Sequence, residues 1–144
     1  MYDEILVPTD GGPASEAAVD HAVGLADQFD ARVHGLYVVD TSGYPALDAS
    51  TEAVHSALED EGEAALDTVT DAAGAAEVPV VSELVSDAPY DGIIEYARAN
   101  DIDLIVMGTH GRTGLDRYLL GSVTERVVRS TDVPVLTVHA TEDN

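Results

Sequence analysis

Apolar positions along this chain fall into two alternating patterns, short continuous runs and longer segments with helical spacing. EILV at Glu4 to Val7 is a buried strand, closed by Pro8, Thr9 and Asp10. After a turn at Asp10, Gly11 and Gly12, Pro13 suits a first helical turn, and Ala14, Ala17, Ala18, Ala22, Leu25, Ala26 and Phe29 keep helical spacing behind it. RVHGLYVV, from Arg32 to Val39, is a second strand, and Asp40, Ser42, Gly43, Tyr44 and Pro45 have turn chemistry without periodicity. A long helix is expected from Ser50 or Thr51, with Val54, Leu58, Ala65, Leu66, Val69 and Ala73 inward. Gly62 should weaken it by about 1 kcal/mol relative to alanine. Val78 to Leu84 is a third strand, and Pro79 near its start implies a sheet edge or a strand end.

Asp87 or Ala88 should cap the next helix, with Pro89 in its first turn and Ile93, Ile94 and Ala97 on one face. A fourth strand, Asp103 to Met107, carries the run LIVM, as a central parallel strand covered on both faces would. A glycine-rich loop, a helix over Ser122 to Ser130, a last strand over Val133 to Val138 and an acidic tail from Thr141 to Asn144 complete the chain. The order βαβαβαβαβ predicts one α/β domain over residues 1–144. Its sheet should be open, five-stranded, mostly parallel and doubly wound, with strand order 3-2-1-4-5 and helices on both faces. Ligands of such sheets bind at the carboxyl ends of strands where the strand order reverses. The loops after strands one and four would meet there.

Composition narrows the function. Six basic residues, all arginine, stand against 28 acidic ones, for a net charge of −22. Nucleic acid and anionic membrane are disfavoured as partners, since both are held through basic side chains. With no apolar run long enough to span a bilayer and a strand-like N-terminus, the expected location is the cytoplasm. Cysteine is absent, which removes disulfides and thiolate chemistry. So acidic a surface without lysine resembles proteins of salt-loving organisms, consistent with a Debye length of about 3 Å at 1 M salt.

The candidate chemistry lies between Asp103 and Arg129, in DLIVMGTHGRTGLDRYLLGSVTERVVR. Gly108, Gly111 and Gly114 follow the fourth strand at once, and Gly121 and Ser122 stand where a helix begins. A helix N-terminus presents unpaired N–H groups and favours an anion, so strand, glycine loop and helix make a phosphate cradle. A Walker loop needs a lysine that this chain lacks. The dinucleotide fingerprint is absent after strand one, where the turn reads TDGGPAS. Phospho-receiver domains share this size and architecture but place a lysine after the last strand. Ser122 lacks the G-x-S-x-G elbow of hydrolases, and the five histidines have no ligand spacing. Arg112, Arg117, Arg126 and Arg129 crowd into the loop and the helix after it. Anion binding is favoured for Arg112 and more weakly for Arg117, whereas Arg126 and Arg129 are read as partners of surface acids such as Asp116 and Glu125.

With the spacing Gly108-x2-Gly111-x9-Gly121-Ser122, the chain resembles the universal stress protein family, in the branch that binds ATP. The resemblance covers almost the whole length, through ILVPTDG with Ser15 following, LYVVD, DLIVMGTHGRTG, LLGSVTERV and VPVLTV. It implies a nucleotide site at Pro8, Thr9 and Asp10, with Asp10 near the ribose or a metal and Val39 meeting adenine through its backbone. Gly108 would approach the ribose or α-phosphate, and Gly111, Gly121, Ser122 and Val123 would hold the phosphates. Met107, His110 and Arg112 complete the expected site, and Asp10 and Ser122 are the candidates to reach Mg2+ through the bound nucleotide. Glycine at position 12 replaces the family's usual serine, removing a side-chain cap, and Asp87 stands where glycine is common. The resemblance further implies a homodimer through Val133 to Val138 and a regulatory or sensor role in stress. Efficient catalysis is not expected, because no general base stands out. A slow ATPase, an α-phosphate hydrolase and a module of the same fold that holds no nucleotide are the alternatives.

Overall fold

A computed structural model describes residues 1–40, 49–109 and 122–139. The expected loop over residues 41–48, the glycine loop over 110–121 and the acidic tail lie outside the described residues. In chain order the elements are β1 (Glu4–Pro8), α1 (Pro13–Phe29), β2 (Arg32–Asp40), α2 (Ala49–Ala75), β3 (Val80–Asp87), α3 (Pro89–Ala99), β4 (Leu104–Gly108), α4 (Ser122–Ser130) and β5 (Val135–Val138). The five strands form one sheet in the order β3-β2-β1-β4-β5. Every pairing is parallel, so the sheet is wholly rather than mostly parallel.

Alternation along the strands sorts side chains onto two faces. Ile5, Val7, Val33, Leu104 and Val106 pack with Ala18, Val19, Ala22 and Ala26 of α1 and with Val69 and Ala73 of α2. Leu6, Leu36, Ile105 and Met107 face the other way, against Ile93 and Ala97 of α3 and Val127 of α4. One pair of helices therefore covers each face, as a doubly wound sheet requires. Ala65, Leu66, Val69 and Ala73 are buried as their spacing predicts. Phe29 is not: it stays 37% exposed and meets the Tyr2 ring edge-on.

Of the boundaries that differ from the sequence reading, those of β3 and β5 have a reason in the backbone. β3 starts after Pro79, whose carbonyl still accepts from Val33 N at 2.9 Å. It runs on through Ser86 and Asp87 because these pair in register with Val39 and Asp40, polar side chains being tolerated on an edge strand. β5 begins only at Val135, since Pro134 has no N–H for the ladder; its carbonyl accepts from Ile105 N at 2.9 Å.

Gly62 has a packing role that its helix propensity conceals. A Cβ there would lie 2.5 Å from Tyr37 Cδ1 and 2.8 Å from Leu84 Cδ1, so the missing side chain lets the Tyr37 ring lie on the α2 backbone.

Candidate functional site

The chain leaving β1 builds one wall of the site. Thr9 N donates to Leu36 O at 2.9 Å, which holds the turn against β2. Asp10 Oδ1 accepts from Gly12 N and from Ser15 Oγ, both at 2.8 Å, and Ser15 Oγ in turn accepts from Asp10 N at 3.2 Å. Gly11 sits at φ 81°, where a residue without Cβ is favoured, and its N–H donates to Thr9 Oγ1 at 3.1 Å. Asp10 thus ties down the turn before α1 rather than capping the helix. The N-cap is Gly12, with no side-chain cap, and Pro13 takes the first position without leaving an N–H unpaired. Asp10 and Ser15 together organise the turn that a serine at position 12 would otherwise cap.

The end of β4 forms the opposite wall. A Cβ on Gly108 would lie 2.7 Å from both the carbonyl carbon and the Cβ of Ala14, and 2.9 Å from its oxygen. Gly108, expected at ligand approach, lies on the cavity lining, and its missing side chain also seats β4 on the first turn of α1. Gly108 O accepts from Thr124 Oγ1 at 2.9 Å. That bond ties the first turn of α4 to the strand end. Beyond it, Thr109 N donates to Val138 O at 3.0 Å, joining β4 to β5.

Between these walls, at the carboxyl ends of β1, β2 and β4, lies a cavity of about 290 Å³. Thr9, Asp10, Ser15, Ser122 and Thr124 supply polar groups, while Leu36, Val38, Ile93 and Met107 supply apolar ones. Such a mixture suits a ligand with a flat apolar part and a polar end. Of the residues expected at the site, Pro8, Thr9, Asp10, Met107, Gly108, Ser122 and Val123 come together around this cavity. Val39 does not share the lining. Its side chain points to the opposite sheet face and packs with Tyr37, Ala65 and Leu66. Leu36, Tyr37 and Val38 are the β2 residues on the lining, and the contact expected of Val39 is through its backbone. His110, Gly111, Arg112 and Gly121 lie outside the described residues, as do Gly114 and Arg117.

Sequence reasoning did not assign Ser15, Leu36, Tyr37, Val38, Pro89, Ile93 and Thr124 to the site. Alternation in β2 could have indicated Leu36 and Val38, and Thr124 lies within the first turn of the helix that Ser122 opens. Pro89 and Ile93 belong to α3, whose approach to the cavity depends on the winding of the whole sheet. The cap expected at Asp87 or Ala88 falls at Ala88, without a side-chain cap bond, and Asp87 accepts through Oδ1 from Ala88 N at 2.8 Å. Arg129 pairs with Glu125 at 3.2 Å as expected. Arg126 departs from the expected pairing with surface acids: its guanidinium carbon lies 4.3 Å from the centroid of the Tyr90 ring.

Comparison with known proteins decides the family. The model of the universal stress protein family matches residues 1–139. The chain belongs to that family. Universal stress protein MJ0531 of Methanocaldococcus jannaschii is 44% identical over 140 residues, covering 96% of this chain and 82% of the relative. Among solved structures, protein MJ0577 superposes with a TM-score of 0.83 at 29% identity, covering 99% of both chains. A universal stress protein in complex with cAMP superposes with a TM-score of 0.75 at 30% identity, covering 97% of this chain and 99% of the other. In this universal stress protein fold the strand order reverses between β1 and β4, and the cavity lies at that reversal. Among the described residues no cluster of three or more His, Cys, Asp or Glu could hold a metal ion, and no helix is long and apolar enough to cross a membrane.

Proposed function

We propose that this chain binds ATP or a related adenine nucleotide in the cavity at the β1/β4 reversal and acts as a regulatory or sensor protein in stress. The observation that carries the reading is the cavity itself. It joins apolar side chains from β2 and α3, able to sandwich a base, to hydroxyl groups at the first turns of α1 and α4, where phosphate oxygens are favoured. The cAMP complex of a relative that is 30% identical supports the adenine nucleotide class. Mg2+ usually arrives with the phosphates and takes only one or two protein carboxylates, and Asp10, the carboxylate on the lining among the described residues, fits such a role. When bound, the ion would neutralise phosphate charge on a chain of net charge −22.

Further parts of the reading rest on sequence and family together: one domain, a homodimer through the edge at Val133 to Val138, a cytoplasmic location and a salt-loving source. The last of these has a direct check. A melting temperature that falls steeply between molar and millimolar potassium chloride supports it, and an unchanged one removes it.

Calorimetry with ATP and Mg2+ in molar potassium chloride tests nucleotide binding. Heat for the wild type, lost in Val123→Trp because the larger side chain fills the cavity, supports the proposal. A silent titration of the folded wild type favours an interaction module, and release of AMP and pyrophosphate would favour an α-phosphate hydrolase.

A further inference from the structure

We infer that Arg126, braced on the ring of Tyr90, reads the phosphate chain of the bound nucleotide and so sets the preference for ATP over less charged ligands; this rests on the adenine nucleotide reading above.

The two residues come from the two helices that flank the cavity on its α3/α4 side. Tyr90 follows Pro89 in the first turn of α3, and Arg126 stands one turn after Ser122 on α4; Pro89 and Ser122 line the cavity, and Tyr90 and the exposed Arg126 stand beside them, outside its lining. Helical side chains lean toward the N-terminus of their helix, so Arg126 leans back along α4 toward the turn that holds Ser122. A ring 4.3 Å away holds the guanidinium at this seam, and a cation over an aromatic face keeps its hydrogen-bonding edge available.

Electrostatics gives the placement its meaning. Acids outnumber arginines 28 to six in this chain, so an arginine would ordinarily find a carboxylate. Arg32 pairs with Glu4, and Arg129 pairs with Glu125. Among the described residues Arg126 has the Tyr90 ring and no carboxylate. A polyphosphate approaching a chain of net charge −22 needs a local positive charge as well as backbone donors, and a planar guanidinium matches phosphate oxygens in pairs. Arg98, in the last turn of α3, lies at the other end of that helix from Tyr90 and serves as the control.

The experiment is calorimetry of wild type, Arg126→Gln, Arg126→Lys, Tyr90→Leu and Arg98→Gln against ATP with Mg2+, AMP and adenosine, at two potassium chloride concentrations. Loss of a charge-assisted contact should weaken ATP about ten- to a hundredfold in Arg126→Gln, weaken AMP less and leave adenosine unchanged. The salt dependence of ATP binding should flatten in the same variant. Tyr90→Leu should follow it in part, and Arg98→Gln should match the wild type. Equal weakening of ATP and adenosine, or no change in either, would overturn the inference and leave the pair as a brace between α3 and α4. Should Arg126→Gln fold poorly, Arg126→Lys decides, because it keeps the charge over the ring and loses the paired geometry: ATP weakens for a phosphate contact and is unaffected for a brace. If the folded wild type binds no nucleotide, the function proposed above fails and this inference with it, an outcome distinct from normal ATP binding by Arg126→Gln.

Discussion

The two ends of the same sheet treat polar groups in opposite ways. At the amino ends of the strands they close on one another. His34, buried in β2 on the α3 side, has Nε2 2.6 Å from Glu4 Oε1 and Nδ1 2.8 Å from the Tyr96 hydroxyl. Arg32 Nε lies 3.2 Å from the same Glu4 oxygen. Asp103 accepts from Asp3 N at 2.9 Å and from Glu4 N at 3.2 Å, so a side chain completes the backbone bonding where β1 starts. At the carboxyl ends, Asp10, Ser15 and Thr124 also bond to the chain, yet all three line an open cavity. A polar network that saturates itself holds the fold, whereas one that leaves a shaped void among its donors can serve a ligand.

The largest test of this contrast is Gly108→Ala. Its Cβ would meet Ala14 backbone at 2.7 Å, which cannot turn aside as a flexible side chain could. Overpacking of this kind should cost about 3 kcal/mol and pull β4 away from α1. Denaturant melts should show the stability loss and calorimetry a loss of nucleotide binding. An alanine variant of wild-type stability would mean that the close seat of β4 on α1 is not needed.

His34→Ala should come next, at about 2 kcal/mol, since it leaves Glu4 and Tyr96 without their shared partner in a poorly hydrated site. Nucleotide affinity should be unchanged, because the amino ends of β1 and β2 lie a strand's length from the cavity. A matching loss of affinity would show that the two ends are coupled and break the comparison. Thr124→Val, at about 1 kcal/mol, removes the bond to Gly108 O while keeping the shape. It should weaken ATP binding beyond its effect on stability, and Thr124→Ser should restore most of it.

The same contrast governs what could be read before the structure was known. Element order and parallel pairing followed from period and composition, because buried runs such as Leu104 to Met107 admit few other placements. The site was legible where a motif joins neighbours in sequence, as at Pro8 to Asp10 and at Ser122 and Val123. It was not legible where a residue's meaning depends on what packs behind it. Gly108 also leaves room for Ala14, and Gly62 also seats Tyr37, roles that no motif or propensity indicates. The His34, Glu4 and Tyr96 network gave no signal, its members being up to 92 residues apart in a scattered histidine set.

The smallest effect lies in that network and concerns alkaline pH. Burial pushes the Tyr96 hydroxyl above its ordinary value of 10.0, the carboxylates of Glu83 and Glu4 push it further, and Arg32 partly opposes them. A raised folded-state value means that the unfolded chain releases this proton first as pH rises. The contribution of Tyr96 is therefore complete below the ordinary value and is lost as pH climbs through the folded one. Tyr96→Phe removes the titrating group along with its bond to His34. The variant should be less stable than wild type by about 1 kcal/mol at neutral pH, and the gap should narrow as pH rises above about 10. The other tyrosines titrate in both proteins, so the difference between the two denaturation midpoints isolates Tyr96. A gap that stays constant across the alkaline range would place the hydroxyl in a wetter setting than the closed network at the amino ends implies.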